Sequence, residues 1–581
     1  AQGWGNVTVT AQIQSAASGN ISATTSLTPT YVFDLPLADT GATNGLTNQN
    51  FGFRINGRAG DLLGYPAGQT IGAQYSFGSG LIMVGDINGD GYDDMVTTAT
   101  QGTSSDKSAF VVFGQSGNAN VDISAIATGT SSLGFQIQGA TNGITIVAGH
   151  GDYNNDGLDD ITISMGTGAN TGGALNNFVV FGMTSLTTTI NSSGFMLNIA
   201  GGGTAISNYT GTNMNMLGDI NGDGYEDIGL YETQSGMNYN YQIVYGSPTA
   251  TSVTTTARTT AGPTSNGYIL AGYAYGNGAV GADINGDGYS DVIARVNGTV
   301  PAIDVYFGSA QGLTTMPTQS SAPASGTGYR ITGVPYDQAG TGNGYHVYAI
   351  GDINGDGLID MVASVNGLGS YVFYGKTDST SFNATSLTTG TSSNGFFING
   401  LFGQISSVGD FNGDGLGDLL VGQTNMTLNG SATGGAYLIY GKTSGAVIDI
   451  TNLQVSEGFR IDGASNLDYS GRSVSGGGDI NGDGVDDLLI AASNAASGAN
   501  GAPANSGINY VVYGGPSTIN DMVFQASNGD LIGTSGADTL AGTSGSNQLV
   551  SGLGDDVITG NGGADVMYGG AGNDTFVLNA D

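Results

Sequence analysis

The stretch Asp86-Ile87-Asn88-Gly89-Asp90-Gly91-Tyr92-Asp93-Asp94 decides how this chain is read, because it recurs seven times with little change. The copies begin at Asp86, Asp152, Asp219, Asp283, Asp352, Asp410 and Asp479, in steps of 66, 67, 64, 69, 58 and 69 residues. A period of that size marks a repeat architecture. Each copy reads D-x-N-x-D-G-x-x-D, with oxygen-bearing side chains at positions 1, 3, 5 and 9 and glycine at position 6. A hard cation such as Ca²⁺ takes about six to eight oxygens, and a short loop supplies them by turning alternate residues inward. Glycine at position 6 lets the backbone turn where a Cβ would clash, so the carbonyl of position 7 can face the ion.

The candidate ligands follow loop by loop. The first loop offers Asp86, Asn88, Asp90, the Tyr92 carbonyl and Asp94; the second Asp152, Asn154, Asp156, the Leu158 carbonyl and Asp160. The third offers Asp219, Asn221, Asp223, Tyr225 and Asp227, and the fourth Asp283, Asn285, Asp287, Tyr289 and Asp291. The last three offer Asp352, Asn354, Asp356, Leu358 and Asp360; Asp410, Asn412, Asp414, Leu416 and Asp418; and Asp479, Asn481, Asp483, Val485 and Asp487. An EF-hand opens the same way but needs a glutamate at position 12 and helices on both sides. Position 12 here is Thr97, Ile163, Leu230, Ala294, Ala363, Val421 or Ile490. Short apolar runs such as Leu488-Leu489-Ile490 follow the loops and read as buried strands.

Composition agrees with a metal-stapled repeat protein. The chain has 581 residues, 105 glycines in periodic places and no cysteine, so no disulfide holds it. Ten basic residues against 46 acidic ones give a net charge of −36, which disfavours nucleic acid and anionic lipid as partners. The seven loops hold 25 of the acidic residues, and seven divalent ions would bring the charge to about −22. Extracellular calcium modules bind at about 10⁻⁴–10⁻³ M, so roughly millimolar calcium adds about 0.4–1.4 kcal/mol per site. Such sites fill outside a cell, not at sub-micromolar calcium. No run of 18 apolar residues is present to span a membrane. The start, Ala1-Gln2-Gly3-Trp4, lacks an initiator Met and a signal peptide, which is the expectation for a processed product or a fragment.

Residues 1–30 read as a flexible or strand-forming arm able to pair with another subunit. Residues 31–526 read as four apolar segments per unit, the last of them Val112-Phe113-Gly114, Val180-Phe181-Gly182, Val244-Tyr245-Gly246 and their later copies. Four strands per unit, repeated seven times, suit a seven-bladed β-propeller better than a linear solenoid. The paired motifs resemble the FG-GAP repeat of integrin α-subunit propellers, in its bacterial form. That resemblance implies calcium in hairpin loops on one face. Closure is expected from Tyr31–Leu35 beside Tyr510–Tyr513, with Met522-Val523-Phe524 as the alternative.

From residue 527 to 581 the period becomes nine, with units from Gly533, Gly542, Ser551, Gly560 and Gly569. These resemble RTX nonapeptides, which implies a short calcium-binding parallel β-roll. Leu540, Leu549, Ile558, Met567 and Phe576 should point inward, with Asp538, Asp556, Asp565 and Asp574 as ligands. The pairs would be Asp538 with Asp556 and Asp556 with Asp574, while Asn547 opposite Asp565 weakens the remaining site. The same resemblance implies one-step, type I export from a bacterium.

Little here reads as catalysis. The only histidines, His150 and His346, have no recurring third partner, and the ten basic residues are scattered rather than gathered for an acidic sugar. The chain is read as non-enzymatic and all-β: a secreted or surface-attached, calcium-stabilised structural or adhesive protein. It would assemble with other protein subunits as an oligomer or filament, or form part of a larger adhesin. The alternative is a calcium-dependent carbohydrate-binding module presenting Tyr239 and Tyr241, or Tyr273 and Tyr275, to surface glycans.

Overall fold

In a computed structural model, the residues described are 34–36, 52–58, 61–65, 80–100, 107–128, 131–138, 144–165, 176–182, 189–190, 214–233, 239–246, 262–264, 267–271, 280–296, 301–313, 322–335, 345–428, 431–453, 457–463, 467–495, 506–514, 524–525, 531–532, 539–542, 544–545, 548–551, 555–562, 565–569 and 572–577. The residue 1–30 arm, Tyr31, and the tyrosines at 273 and 275 lie outside them, as do the side chains of His150, Tyr239 and Tyr241.

The fold is all-β, and its larger part is a β-propeller. Each Asp-rich loop joins two antiparallel strands, as in Leu81–Gly85 and Asp94–Thr100, where Gly85 pairs with Asp94. Position 9 therefore opens the second strand in six of the loops and immediately precedes it, as Asp418 before Leu419–Gln423, in the other. A third strand, here Lys107–Val112, and a fourth, Gly134–Gln138, complete the antiparallel set. Six five-stranded sheets of this kind are formed, and the loop at Asp152 belongs to a three-stranded sheet of Ile144–Gly151, Asp160–Met165 and Asn176–Val180. The first strands neighbour one another in cyclic order, from Leu81–Gly85 around to Ser470–Gly478 and back. Leu81 N and Met83 N donate to Ser473 Oγ and Ser475 Oγ across that last junction, at 3.1 and 3.0 Å.

The fourth strand begins with glycine in all six five-stranded sheets, and in five of them, at Gly52, Gly134, Gly328, Gly395 and Gly458, its φ lies between +136° and +152°. A Cβ on Gly395 would stand 2.0 Å from the Val372 carbonyl oxygen, so the strand can approach its neighbour only without a side chain. In most sheets a fifth strand follows, contributed by the next repeat. Val121–Asp122 runs parallel to Gly52–Asn56, Phe382–Asn383 to Gly328–Thr332, and Ile448–Asp449 to Gly395–Asn399. Each of these pieces ends on a residue that caps the short helix after it: Asp122, Asn383 and Asp449 accept from the N–H two residues on.

Ring closure differs from the expectation. The strand beside Ile508–Val512 is Gly52–Asn56, antiparallel, with Phe53 opposite Val511. Asp34–Pro36 pairs parallel with Gly458–Asp462 of the preceding sheet, in the role of the fifth strand. The reason is packing. Gly52-Phe53-Arg54-Ile55 repeats the Gly-Phe-x-Ile pattern of Gly134–Ile137 and Gly458–Ile461, which puts Phe53 and Ile55 wholly into the core. Phe524–Gln525 does not close the ring either; it pairs with Leu531–Ile532 of the C-terminal roll.

The core is divided among the junctions. One apolar cluster joins Phe53, Leu81, Met95, Phe110, Leu489 and Val511, residues of two consecutive sheets, and the next joins Val84, Val96, Phe135, Ile161 and Val180. Every sheet is thereby glued to its neighbours, and among the described residues each propeller cluster is shared by two sheets.

The C-terminal part is a parallel roll. Thr539–Ala541, Val557–Thr559 and Thr575–Val577 stack in one sheet, and Leu531–Ile532, Gln548–Val550 and Val566–Tyr568 in the other. Units two apart lie in register, Leu540 on Ile558 on Phe576. Leu540, Leu549 and Ile558 are fully buried with Met567 against them. Phe576, expected inside, is 42% exposed, because no later turn of the roll among the described residues covers the last strand.

Candidate metal centres

The loops are organised around the position-1 carboxylate. Asp86 Oδ1 accepts from Gly89 N and Asp90 N at 2.7 and 3.1 Å, and its Oδ2 accepts from Gly91 N at 2.9 Å. The same trio recurs at Asp219, Asp283, Asp352 and Asp479. Asp152 and Asp410 keep the bonds from positions 5 and 6. Position 3 folds back as well: the amide oxygens of Asn154, Asn221, Asn285, Asn354, Asn412 and Asn481 accept from the N–H of position 5. The carboxylate of position 5 (Asp90, Asp156, Asp223, Asp287, Asp356, Asp414, Asp483) accepts from the N–H of position 7. Successive Asx-type turns of this kind hold oxygens of positions 1, 3 and 5 in one small loop.

Position 9 is different. Asp94, Asp160, Asp227, Asp291, Asp360 and Asp487 are wholly buried and Asp418 is 1% exposed. Asp94 Oδ2 accepts from Ile87 N at 3.1 Å, and Oδ1 from Gly114 N at 2.9 Å, the glycine that ends the third strand. Equivalent bonds hold the other six, with Asn412 N replacing position 2 at Asp418. This explains why the loop motif and the Phe/Tyr-Gly motif travel together: one carboxylate ties them.

Burial pushes Asp94, Asp227, Asp291, Asp418 and Asp487 up to about 8, and Asp160 and Asp360 up to about 7. The carboxylates at positions 5 and 1 of the same loop push in the same direction, while the backbone amides oppose them. Two amide donors suit an ionised carboxylate, and a proton would weaken that acceptance. The charges acting on it are all negative, so a cation is what this arrangement lacks chemically. Among the described residues, no three acidic or imidazole side chains gather tightly enough to hold an ion by themselves. An ion held here would have to take neutral oxygens as well, of which the position-3 amide is the one the loop holds beside the position-1 and position-5 carboxylates. An all-oxygen set of this size fits a hard divalent cation.

Two further positions do work that the sequence reading did not assign. Position 2 (Ile87, Tyr153, Ile220, Ile284, Ile353, Phe411, Ile480) is buried and anchors each loop to the core. Its carbonyl accepts from the next repeat in several places: Gln115 N to Ile480 O at 2.9 Å, Ser309 N to Ile220 O, Lys376 N to Ile284 O and Lys442 N to Ile353 O. Position 8 is an inter-sheet clasp. Asp93 Oδ2 accepts from Asp479 N at 2.7 Å, and Asp159 Oδ2 from Asp86 N at 3.0 Å. Asp486 is likewise bonded to the Asp410 backbone. The signal lay in the acidic residues at Asp93, Asp159 and Asp486, but their partners belong to another repeat, which no local pattern shows; Glu226 likewise stands against Gly151 of the neighbouring repeat.

In the roll, Asp556 is 1% exposed, and its N–H donates to Asp574 Oδ1 at 3.2 Å, so this expected pair is adjacent. Asp555, unassigned from sequence, accepts from Asn573 N at 2.7 Å. Asp565 stands against Gly560, where a Cβ would meet its Oδ2 at 2.4 Å. Asp538 and Asn547 lie outside the described residues. Elsewhere, His346 is held well below its usual range, to about 3, by burial and by the charge of Arg295. It is unsuited to proton transfer near neutrality.

Comparison with known proteins agrees with both repeat types. A model of the FG-GAP repeat matches residues 80–116, 402–439 and 470–507, and a model of the RTX calcium-binding nonapeptide repeat matches 527–556 and 541–576. No curated protein matches the chain. Among solved structures, the chain is similar to one described as "Crystal structure of BBS1N in complex with ARL6DN, soaked with lead", at 8% identity and a TM-score of 0.35, covering 78% of this chain and 97% of that one. The chain thus carries two repeat families in series, FG-GAP repeats in a propeller and RTX calcium-binding nonapeptide repeats after it.

Proposed function

We propose that this is a secreted or cell-surface bacterial protein whose seven-bladed propeller is set by calcium and whose role is structural or adhesive. The cyclic order of seven first strands supports counting the three-stranded sheet as the seventh blade. One observation carries the calcium reading: seven buried position-9 carboxylates, each bonded to two amides and surrounded by like charge, at the junctions that hold the ring together. A divalent ion in each loop would remove the repulsion and fix the loop to which the neighbouring blade is bonded. The ligands would be the oxygens of positions 1, 3, 5 and 9 with the position-7 carbonyl, and Asp538, Asp556, Asp565 and Asp574 in the roll. Weak sites of this type fill in extracellular calcium, and type I export followed by folding outside the cell fits that condition. Among the described residues, no helix is long and apolar enough to cross a membrane.

Residues 1–30 would join one subunit to another, or the chain would be one section of a longer adhesin. Light scattering on the full chain and on a version lacking residues 1–30, each in millimolar calcium, tests this. Assembly that needs the arm supports the reading, and assembly that persists without it overturns the arm's part. Selective binding on a glycan array in calcium would instead favour the carbohydrate-binding alternative.

A further inference from the structure

Position 3 of six loops is asparagine followed by glycine, the pair most open to attack by a backbone nitrogen on a side-chain amide. Four of these six loops place both a base and an oxygen-polarising donor around that pair; at Asn88 the structure shows the bond to the base, Gly89 N to Asp86 Oδ1 at 2.7 Å. Gly222 N donates to Asp219 Oδ1 at 2.6 Å, Gly286 N to Asp283 at 2.8 Å, Gly355 N to Asp352 at 2.7 Å and Gly482 N to Asp479 at 2.7 Å. In the same four loops the asparagine Oδ1 accepts from the position-5 N–H at 2.8–2.9 Å. That bond folds the carboxamide back over the peptide that follows it. The four glycines are exposed, with Asn221 and Asn481 half-buried and Asn285 and Asn354 buried behind them, so water reaches each loop from the glycine side.

We propose that Asn221, Asn285, Asn354 and Asn481 are self-modification sites that convert to aspartate and isoaspartate. The position-1 carboxylate takes the glycine N–H proton as that nitrogen attacks asparagine Cγ. The new N–Cγ bond closes a succinimide, the Cγ–Nδ2 bond breaks, and the nitrogen leaves with the transferred proton as ammonia. Solvent water then opens the ring at either carbonyl. Opening at one carbonyl gives position 3 a fourth carboxylate for the loop; opening at the other lengthens the backbone and spoils it. The base is a positioned carboxylate, and such groups are worth about 10²–10⁴ in rate.

The chain contains its own controls. Gly413 N donates to the Asp410 main-chain oxygen at 3.4 Å rather than to the carboxylate, Asn154 is followed by Asn155, and Gly400 N after Asn399 is bonded to Leu368 O. The protection part of the proposal rests on the calcium reading: an ion bound by position 1 and the asparagine Oδ1 would occupy the base and pin the amide.

Peptide mapping by mass spectrometry, on folded full-length protein aged at neutral pH in chelator or in calcium, tests this by reading the exchange of NH for O at each asparagine. In chelator, Asn221, Asn285, Asn354 and Asn481 should convert at least about tenfold faster than Asn412 and Asn399, with Asn154 slowest. Equal rates at Asn221 and Asn412 would overturn the proposal. Asp219→Asn should drop Asn221 to the rate of Asn412 while the other three sites keep theirs, and an unchanged Asn221 would remove the carboxylate from the mechanism. Should that variant lose its loop, Asp352→Asn read at Asn354 makes the same comparison in another blade. Site-selective conversion that runs equally fast in calcium would leave the chemistry standing and refute the calcium reading of these loops.

Discussion

Replacing Asp360 with asparagine isolates the role of position 9, because position 8 in this loop is Ile359 and no acidic clasp is disturbed. The carboxylate is fully buried and accepts from Ile353 N at 2.9 Å and Gly375 N at 2.6 Å. Asparagine keeps the shape but turns one oxygen into an NH₂ that faces an amide donor. One hydrogen bond to a charged group, worth about 1.5–3 kcal/mol, is lost, and a buried N–H is stranded at about 1–3 kcal/mol. In calcium the local cost is then about 3–5 kcal/mol, plus the roughly 0.4–1.4 kcal/mol of one weak site. In chelator the cost should be smaller, since the neutral side chain also relieves repulsion from Asp356 and Asp352. Hydrogen exchange at the Ile353 and Gly375 amides, with and without calcium, reads the local cost, and calorimetric titration reads the number of ions. The expected result is faster exchange at both amides, a larger effect in calcium, and one ion fewer. An equal effect in both conditions with unchanged stoichiometry would refute the assignment of position 9.

Other outcomes follow from the same contacts. Without calcium, the position-9 carboxylates have folded pKa values of about 7–8, above their unfolded value, so their contribution is fully present below about pH 4 and is lost as pH rises through 7–8. The melting temperature of chelated protein should therefore fall from about pH 4 to 8 and level off above, and loading with calcium at pH 6 should release protons, which titration in buffers of different ionisation enthalpy detects. Phe53→Ala should cost about 3–5 kcal/mol, because this wholly buried ring closes the circle, whereas removal of residues 1–30 should leave the denaturation midpoint in place. Asp159→Asn should cost about 1 kcal/mol by weakening the bond from Asp86 N, seen as faster exchange at Asp86 and little change at Asp352.

Much of this was legible in the sequence where the signal was local. The loop spacing gave strand–loop–strand units, and the nonapeptide register gave a roll whose Leu540, Leu549 and Ile558 are buried as expected. What failed depended on neighbours. Tyr31–Leu35 looks like a strand by its apolar residues, but Gly52-Phe53-Arg54-Ile55 carries the glycine that permits close approach to Val511, and that decides closure. Position 8 has no role in the sequence reading, because its hydrogen-bond partner lies about 70 residues away or, for Asp93, at the far end of the chain. Phe576 follows the inward pattern of its repeat, yet it stands at the end of the stack, where pattern alone does not show whether anything covers it.

Scanning calorimetry of the full chain in millimolar calcium, and again after thorough chelation, tests the role of the ions most directly. The transition should drop by many degrees in chelator and return when calcium is restored. A melting curve left in place by complete calcium removal would contradict the claim that divalent cations hold the blades together.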